Sequence, residues 1–309
     1  MRAEICEVSP RDGLQNEDVP LSTDQKIELI ERAIQAGARR IEAVSFVHPV
    51  KVPRMVDAEE VMAGVPRTGA VRYSGLVLNA RGLERAAAAG VDEINVVVVA
   101  SDTFCRRNQG TSTEQACDIA AQLVAVAKGA GIASTVTIAA AFGCPFEGEV
   151  PLSRLRQVIS RVVDMGPDEL SLADTIGVAV PTEVTERVAL ARELGGETPL
   201  RLHLHDTRHT AVANAVAALV SGVTVFDASI GGIGGCPFAP NATGNVATED
   251  LLYLFNRMQV PTGVNLSAVL ETTEWLEQRL GRALPGAILR AGDFPPAQSE
   301  HARGTGDPS

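Results

Sequence analysis

Short apolar runs rich in β-branched residues alternate with longer stretches whose apolar positions recur every three or four residues. The first pattern predicts buried strands and the second amphipathic helices. Strands are expected near Glu4–Val8, Arg40–Val44, Arg72–Val77, Glu93–Val99, Ser134–Ala139, Glu169–Leu172, Arg201–His205 and Val225–Ser229. Helices are expected between them, for example at Asp24–Gln35, Ala80–Ala89, Thr113–Lys128, Leu152–Asp164, Thr182–Glu193 and Ala211–Val220. Ser22-Thr23-Asp24 and Ser112-Thr113-Glu114 read as helix starts, because a hydroxyl there accepts an N–H that the first turn leaves unbonded. Gly37, Gly90, Gly129 and Gly222 fall where helices should stop.

Eight strands alternating with helices predict an α/β protein with a parallel sheet, and eight strands close a (β/α)8 TIM barrel. An open doubly wound sheet would need a phosphate-binding glycine turn after the first strand, and Arg11-Asp12-Gly13-Leu14 is not one. Leu266–Leu280 reads as an extra C-terminal helix carrying the lone Trp275 on its apolar face. Residues 1–283 are therefore expected to form a single barrel domain with that helix. Residues 284–309, rich in Pro, Gly, Ala and charge toward the end, are expected to be a flexible tail.

In such a barrel the site lies at the carboxyl ends of the strands. Arg11 and Asp12 follow strand one, Glu42 and Ser45 end strand two, and Asn108 lies beyond strand four. Asp174 follows strand six, His203 and His205 end strand seven, and Cys236 and Asn245 follow strand eight. All fall on one rim. His203 and His205 share a strand face, so their imidazoles can grip one ion as adjacent ligands. With the Asp12 carboxylate and the Asn245 amide oxygen they make a mixed N/O set suited to Mg²⁺ or Mn²⁺ that also binds substrate. Arg11 is placed to stabilise negative charge developing on substrate. Residues 229–237, Ser-Ile-Gly-Gly-Ile-Gly-Gly-Cys-Pro, hold four glycines before a thiol. That suits a loop that closes over ligand and brings Cys236 in as a proton donor or acceptor.

Composition narrows the partners. A net charge of −11 over 309 residues argues against nucleic acid, and no apolar run is long enough for a membrane span. Met1 leads almost directly into the first strand, so a cytoplasmic protein is expected. The five cysteines show no Cys-x-x-Cys spacing, hence no disulfide framework or zinc ribbon, and Cys6 and Cys117 read as small buried apolar residues. Homo-oligomer formation stays open.

The sequence resembles the 3-hydroxy-3-methylglutaryl-CoA lyase family. The resemblance is carried by EVSPRDGLQNE (7–17), IEAVSFVHPVKVPRM (41–55), ELSLADTIG (169–177), LHLHDT (202–207), GGCPFAPNATGNVATEDL (234–251) and TGVN (262–265). It implies a divalent metal held by Asp12, His203, His205 and Asn245, with Arg11 stabilising an enolate. It implies Cys236 as the loop acid or base, His203 or Asp12 as the base for the substrate hydroxyl, and Glu42 and Asp174 as supporting carboxylates. Gln15, Ser45, Asn108 and Ser171 are expected to touch substrate. The implied reaction is cleavage of 3-hydroxy-3-methylglutaryl-CoA, or a related 3-hydroxy-3-alkylglutaryl-CoA, to acetyl-CoA and a 3-oxo acid. The acyl-CoA thioester is then the expected partner, its anionic carrier meeting Lys51, Arg54, Arg106 or Arg107. Arg208-His209 stands where well-characterised members carry Tyr-Gly, and Asp18 where many have lysine, which leaves the acyl group open. The alternatives are a condensing synthase of the same barrel group acting on an acyl-CoA and a 2-oxo acid, and a non-catalytic acyl-CoA-binding barrel.

Overall fold

The computed structural model describes residues 1–235 and 244–294. Eight parallel strands close on themselves: β1 (Glu4–Glu7), β2 (Arg40–Ser45), β3 (Arg72–Val77), β4 (Glu93–Val99), β5 (Ala133–Ala139), β8 (Glu169–Asp174), β9 (Leu200–Leu204) and β10 (Val225–Ala228), with β6 (Gly143–Cys144) and β7 (Gly148–Glu149) as a small antiparallel hairpin outside the barrel. β1 pairs with both β2 and β10, so the sheet has no free edge. The (β/α)8 barrel is therefore observed as expected.

The helices that cover the barrel are α1 (Thr23–Gln35), α2 (Ala58–Gly64), α3 (Ala80–Ala88), α4 (Asp102–Gln109), α5 (Thr113–Gly129), α6 (Leu152–Asp164), α7 (Pro181–Gly195), α8 (Ala211–Val220), α9 (Thr248–Arg257), α10 (Leu266–Leu280) and α11 (Ile288–Ala291). Both serine start signals form reciprocal capping boxes, Ser22 with Gln25 and Ser112 with Gln115. α4 was not anticipated: its sequence buries only Phe104 and Cys105, too few for a helical apolar stripe. β8 runs to Asp174, two residues past the expected end, because the parallel ladder continues as far as Asp174 beside Leu204.

Two features depart from expectation. Barrel interiors are usually packed with branched apolar side chains, yet the lower layer here holds Arg40, Glu93, Glu169 and Arg201, all buried. Arg40 offsets the desolvation by forking onto both carboxylates, at 2.7 and 3.0 Å to Glu93 and 2.7 and 2.9 Å to Glu169. The chain also stays packed beyond residue 283, inside the region expected to be tail. Leu284 is 1% exposed. The Asp250 carboxylate accepts the N–H groups of Ala287 and Ile288 at 3.0 and 2.9 Å, anchoring α11. The expected tail from residue 295 onward lies outside the described residues.

Candidate active site

Asp12 is presented by a single wide turn, Ser9–Gly13, in which the N–H groups of Asp12 and Gly13 both donate to the Val8 carbonyl, at 2.8 and 3.1 Å. Gly13 is required there, since a Cβ would lie 2.7 Å from Ile233. Buried Glu7 fastens the turn, accepting from Ser9 N, Ile230 N and Thr248 Oγ1 at 2.9, 3.0 and 2.7 Å. One carboxylate thus ties the end of β1 to the end of β10 and the start of α9.

His203 lies on β9 and His205 just beyond it. The segment around residue 245 bridges antiparallel to His205, with Val246 N donating to Leu204 O at 2.9 Å. This puts Asn245 beside the histidines. Its amide nitrogen donates to Asp12 Oδ2 at 2.8 Å and to Ile233 O at 3.0 Å, while its oxygen is buried without a partner. Among the described residues, Asp12, His203 and His205 form a group whose ligand atoms all lie within 4.8 Å of one another. The two Nε2 atoms face each other at 3.1 Å. One carboxylate, two imidazoles and an orphaned buried amide oxygen suit a hard or borderline divalent cation.

Without an ion, burial and the neighbouring His203 push His205 down to about 3. Burial also acts to lower His203, but its hydrogen bond to Asp227 and the charge of Asp12 outweigh that and hold it above the ordinary imidazole value. For Asp12 burial works upward, and Arg11, His203 and His205 together hold it well below the usual carboxylate range.

Arg11 is nearly buried. One Nη donates to Asp12 Oδ1 at 2.6 Å and the other to Glu42 Oε2. Glu42 Oε1 in turn accepts from Asn95 Nδ2 at 2.9 Å, and Asn95 Oδ1 accepts from Thr137 Oγ1 at 2.8 Å. A hydrogen-bonded row thus crosses the barrel from β5 to the Asp12 turn and fixes the guanidinium in place. Pattern reading missed Asn95 and Thr137, although two inward polar residues in otherwise apolar strands were a usable signal.

A cavity of about 170 Å³ lies over these groups, lined among others by Arg11, Asp12, Gln15, Asn108, His203 and His205. It shares Gln15, Asn16 and Asn108 with a cleft of about 1000 Å³ that reaches His48, Lys51 and Arg54. Gln15 and Asn108 thus line both spaces. Two other expected site residues are engaged locally, and a third is buried. Ser45 Oγ accepts the Val47 N–H at 3.3 Å. Asp174 is fully buried and its two oxygens accept the N–H groups of Val178 and Ala179 at 2.9 and 3.0 Å, so it shapes the loop after β8. Ser171 is buried within β8 with an unpartnered hydroxyl. Arg54 is held by the carbonyls of Glu17 and Asp18, at 3.0 and 2.7 Å, and Arg107 stacks over Phe146 at 4.3 Å. Among the described residues, Lys51 is an exposed cation that lines the cleft without such an engagement. Cys236 lies outside the described residues.

The unusual pair has local consequences. His209 adopts a φ of 56°, a conformation natural to glycine, and Arg208 donates to the carbonyls of Ile176 and Gly177 at 3.0 and 2.8 Å. Arg208 thereby clamps the loop after β8 to the loop after β9.

A closed (β/α)8 barrel with a carboxylate–imidazole cluster and an arginine at its C-terminal rim defines an enzyme scaffold of the barrel lyase type. The chain belongs to the HMGL-like family, whose model matches residues 2–276. It is 44% identical to the (R)-citramalyl-CoA lyase of Chloroflexus aurantiacus, over 94% of this chain and 95% of that protein. It is 41% identical to a hydroxymethylglutaryl-CoA lyase of Bacillus subtilis, over 93% of this chain and 96% of that one. Among solved structures, an HMG-CoA lyase from Acinetobacter baumannii in complex with coenzyme A and 3-methylmalate superposes with a TM-score of 0.92 at 36% identity, covering 96% of this chain and 97% of that chain. The protein is a carbon–carbon lyase by family. Among the described residues no helix is long and apolar enough to cross a membrane.

Proposed function

We propose that the chain cleaves 3-hydroxy-3-methylglutaryl-CoA to acetyl-CoA and acetoacetate, using Mg²⁺ or Mn²⁺ held by Asp12, His203, His205 and Asn245. The observation that carries this reading is the convergence of three ligand atoms beside the orphaned Asn245 oxygen, under a cavity that shares lining residues with a larger cleft. A divalent cation held by these residues would supply Lewis acidity, lowering the pKa of a substrate alcohol.

The chain's own groups supply the rest. His203 turns Nε2 toward the cluster and Nδ1 toward Asp227, and Asp12 is held ionised by Arg11 and the imidazoles. One of these two groups takes the hydroxyl proton. The C2–C3 bond then breaks. A carbonyl forms at C3, and the electron pair passes into the thioester enolate, whose oxygen Arg11 stabilises. Protonation at C2, assigned to Cys236, gives acetyl-CoA. Glu42 keeps the guanidinium aimed, and the cleft beside Lys51 takes the anionic carrier.

A second substrate is favoured by the 44% identity to a citramalyl-CoA lyase. (R)-Citramalyl-CoA carries its carboxylate on the carbinol carbon itself, one methylene closer, and the same steps release acetyl-CoA and pyruvate. Incubating the enzyme with each thioester and Mg²⁺ or Mn²⁺, then identifying the oxo acid beside acetyl-CoA, decides between them. Acetyl-CoA from neither, or net condensation of an acyl-CoA with a 2-oxo acid, overturns the assignment.

A further inference from the structure

Beneath the ligand cluster the barrel interior sets two guanidinium groups, Arg40 and Arg201, against three carboxylates, Glu93, Glu169 and Asp227, all buried. The groups form one continuous path. Arg40 forks onto Glu93 and Glu169. Arg201 lies 3.7 Å from Glu93, 3.5 Å from Glu169 and 3.3 Å from Asp227. Asp227 Oδ2 lies 3.0 Å from His203 Nδ1. Asp227 and His203 stand opposite each other in the register of β9 and β10, so the pair is built by strand pairing.

The path carries one negative charge in excess, and its location can be read. Each carboxylate oxygen of Glu93 and Glu169 accepts a hydrogen bond from Arg40. Asp227 Oδ1 has only the ion contact with Arg201 and no hydrogen bond. The surplus therefore rests on the carboxylate that faces the imidazole. His205 has no equivalent support, because its Nδ1 is buried without a partner.

We propose that Asp227, held in place by Arg201, is a positioning residue that keeps the His203 proton on Nδ1 and so reserves the Nε2 lone pair for the metal. The inference rests on the metal site proposed above. A carboxylate behind a ligating imidazole fixes ring and tautomer and makes the ligand more basic, an arrangement whose loss weakens metal affinity about 10–100-fold. A carboxylate that merely balances Arg201 does nothing of the kind. The two roles separate because Asp227→Asn leaves two guanidinium groups against two carboxylates, a neutral interior.

The test is Mn²⁺ binding to the full chain without substrate, followed by water-proton relaxation, beside thermal unfolding of the metal-free protein. Asp227→Asn is expected to unfold at or above the wild-type temperature while its Mn²⁺ dissociation constant rises about 10–100-fold. Equal affinity in the two proteins overturns the positioning role and leaves the metal site standing. Absence of Mn²⁺ binding in the wild type overturns the site itself. Should the variant fail to fold, long-range ¹⁵N–¹H correlation on the Mg²⁺-loaded wild type decides: an Nδ1–H tautomer at His203 is expected, and an Nε2–H tautomer refutes the proposal.

Discussion

Glu249, in the first turn of α9, gives a prediction whose size follows from its surroundings. It is fully buried, its Oε2 accepts the Gly231 N–H at 3.0 Å, and its Oε1 has no partner. Gly286 closes over that oxygen so tightly that a Cβ there would lie 2.1 Å from it. Burial lifts the carboxyl from its ordinary 4.5 to about 8, with backbone N–H groups opposing and the charges of Asp250 and Glu7 adding to the rise. The folded protein thus holds this proton more tightly than the unfolded chain does. The stability it contributes is complete below about pH 4.5 and is lost as pH rises through about 8. At about 1.4 kcal/mol per pH unit over that window, the full loss is roughly 5 kcal/mol, an upper bound. Glu249→Gln keeps an acceptor for Gly231 and removes the titration. Wild-type and variant melting temperatures should converge near pH 5 and separate steadily toward pH 8.5, the variant becoming the more stable. At about 2 °C per kcal/mol the gap approaches 10 °C. Parallel profiles across this range would refute the argument, since they would mean that Glu249 ionises in the fold without penalty.

Four further substitutions probe the site and its surroundings. His205→Ala should weaken Mn²⁺ or Mg²⁺ binding at least tenfold, measured by titration calorimetry, with the circular dichroism spectrum unchanged. Arg11→Met should lower kcat by about two to three powers of ten with little change in KM, because the guanidinium is needed where charge develops; a raised KM with kcat intact would make it a substrate anchor instead. Cys236→Ala should retain metal and substrate binding but lose most turnover, and substrate should protect the wild type against alkylation. Cys144→Ala should keep turnover yet cost about 1–2 kcal/mol in denaturant unfolding, because the Cys144 sulfur accepts from Ser101 Oγ at 2.9 Å and from two backbone N–H groups at 3.4 Å.

Much of the site was legible because its residues sit at strand ends in a fold whose strand ends converge. Once eight strands alternate with helices, Arg11, Asp12, His203, His205 and Asn245 must meet at one rim, however far apart they lie in the chain. Local reading did less well where a polar residue had a nearer use. Asp174 and Ser45 occupy the correct rim, yet backbone N–H groups of their own loops engage them first. The same limit applied at the C-terminus, where composition suggested a tail and Leu284 instead fills a buried position against Gly231.

The sequence by itself determined the order and type of the main barrel elements and the rim on which the candidate site residues meet, because both follow from periodicity and side-chain chemistry along the chain. Only the tertiary structure decided that Asp227 stands behind His203, that Asn95 and Thr137 steady Glu42 behind Arg11, and that the barrel is filled by ions in its lower layer. Those facts depend on strand register around a closed sheet. Arg40 meets Glu169 across 129 positions of sequence, and no local pattern encodes the layer in which two inward side chains will meet.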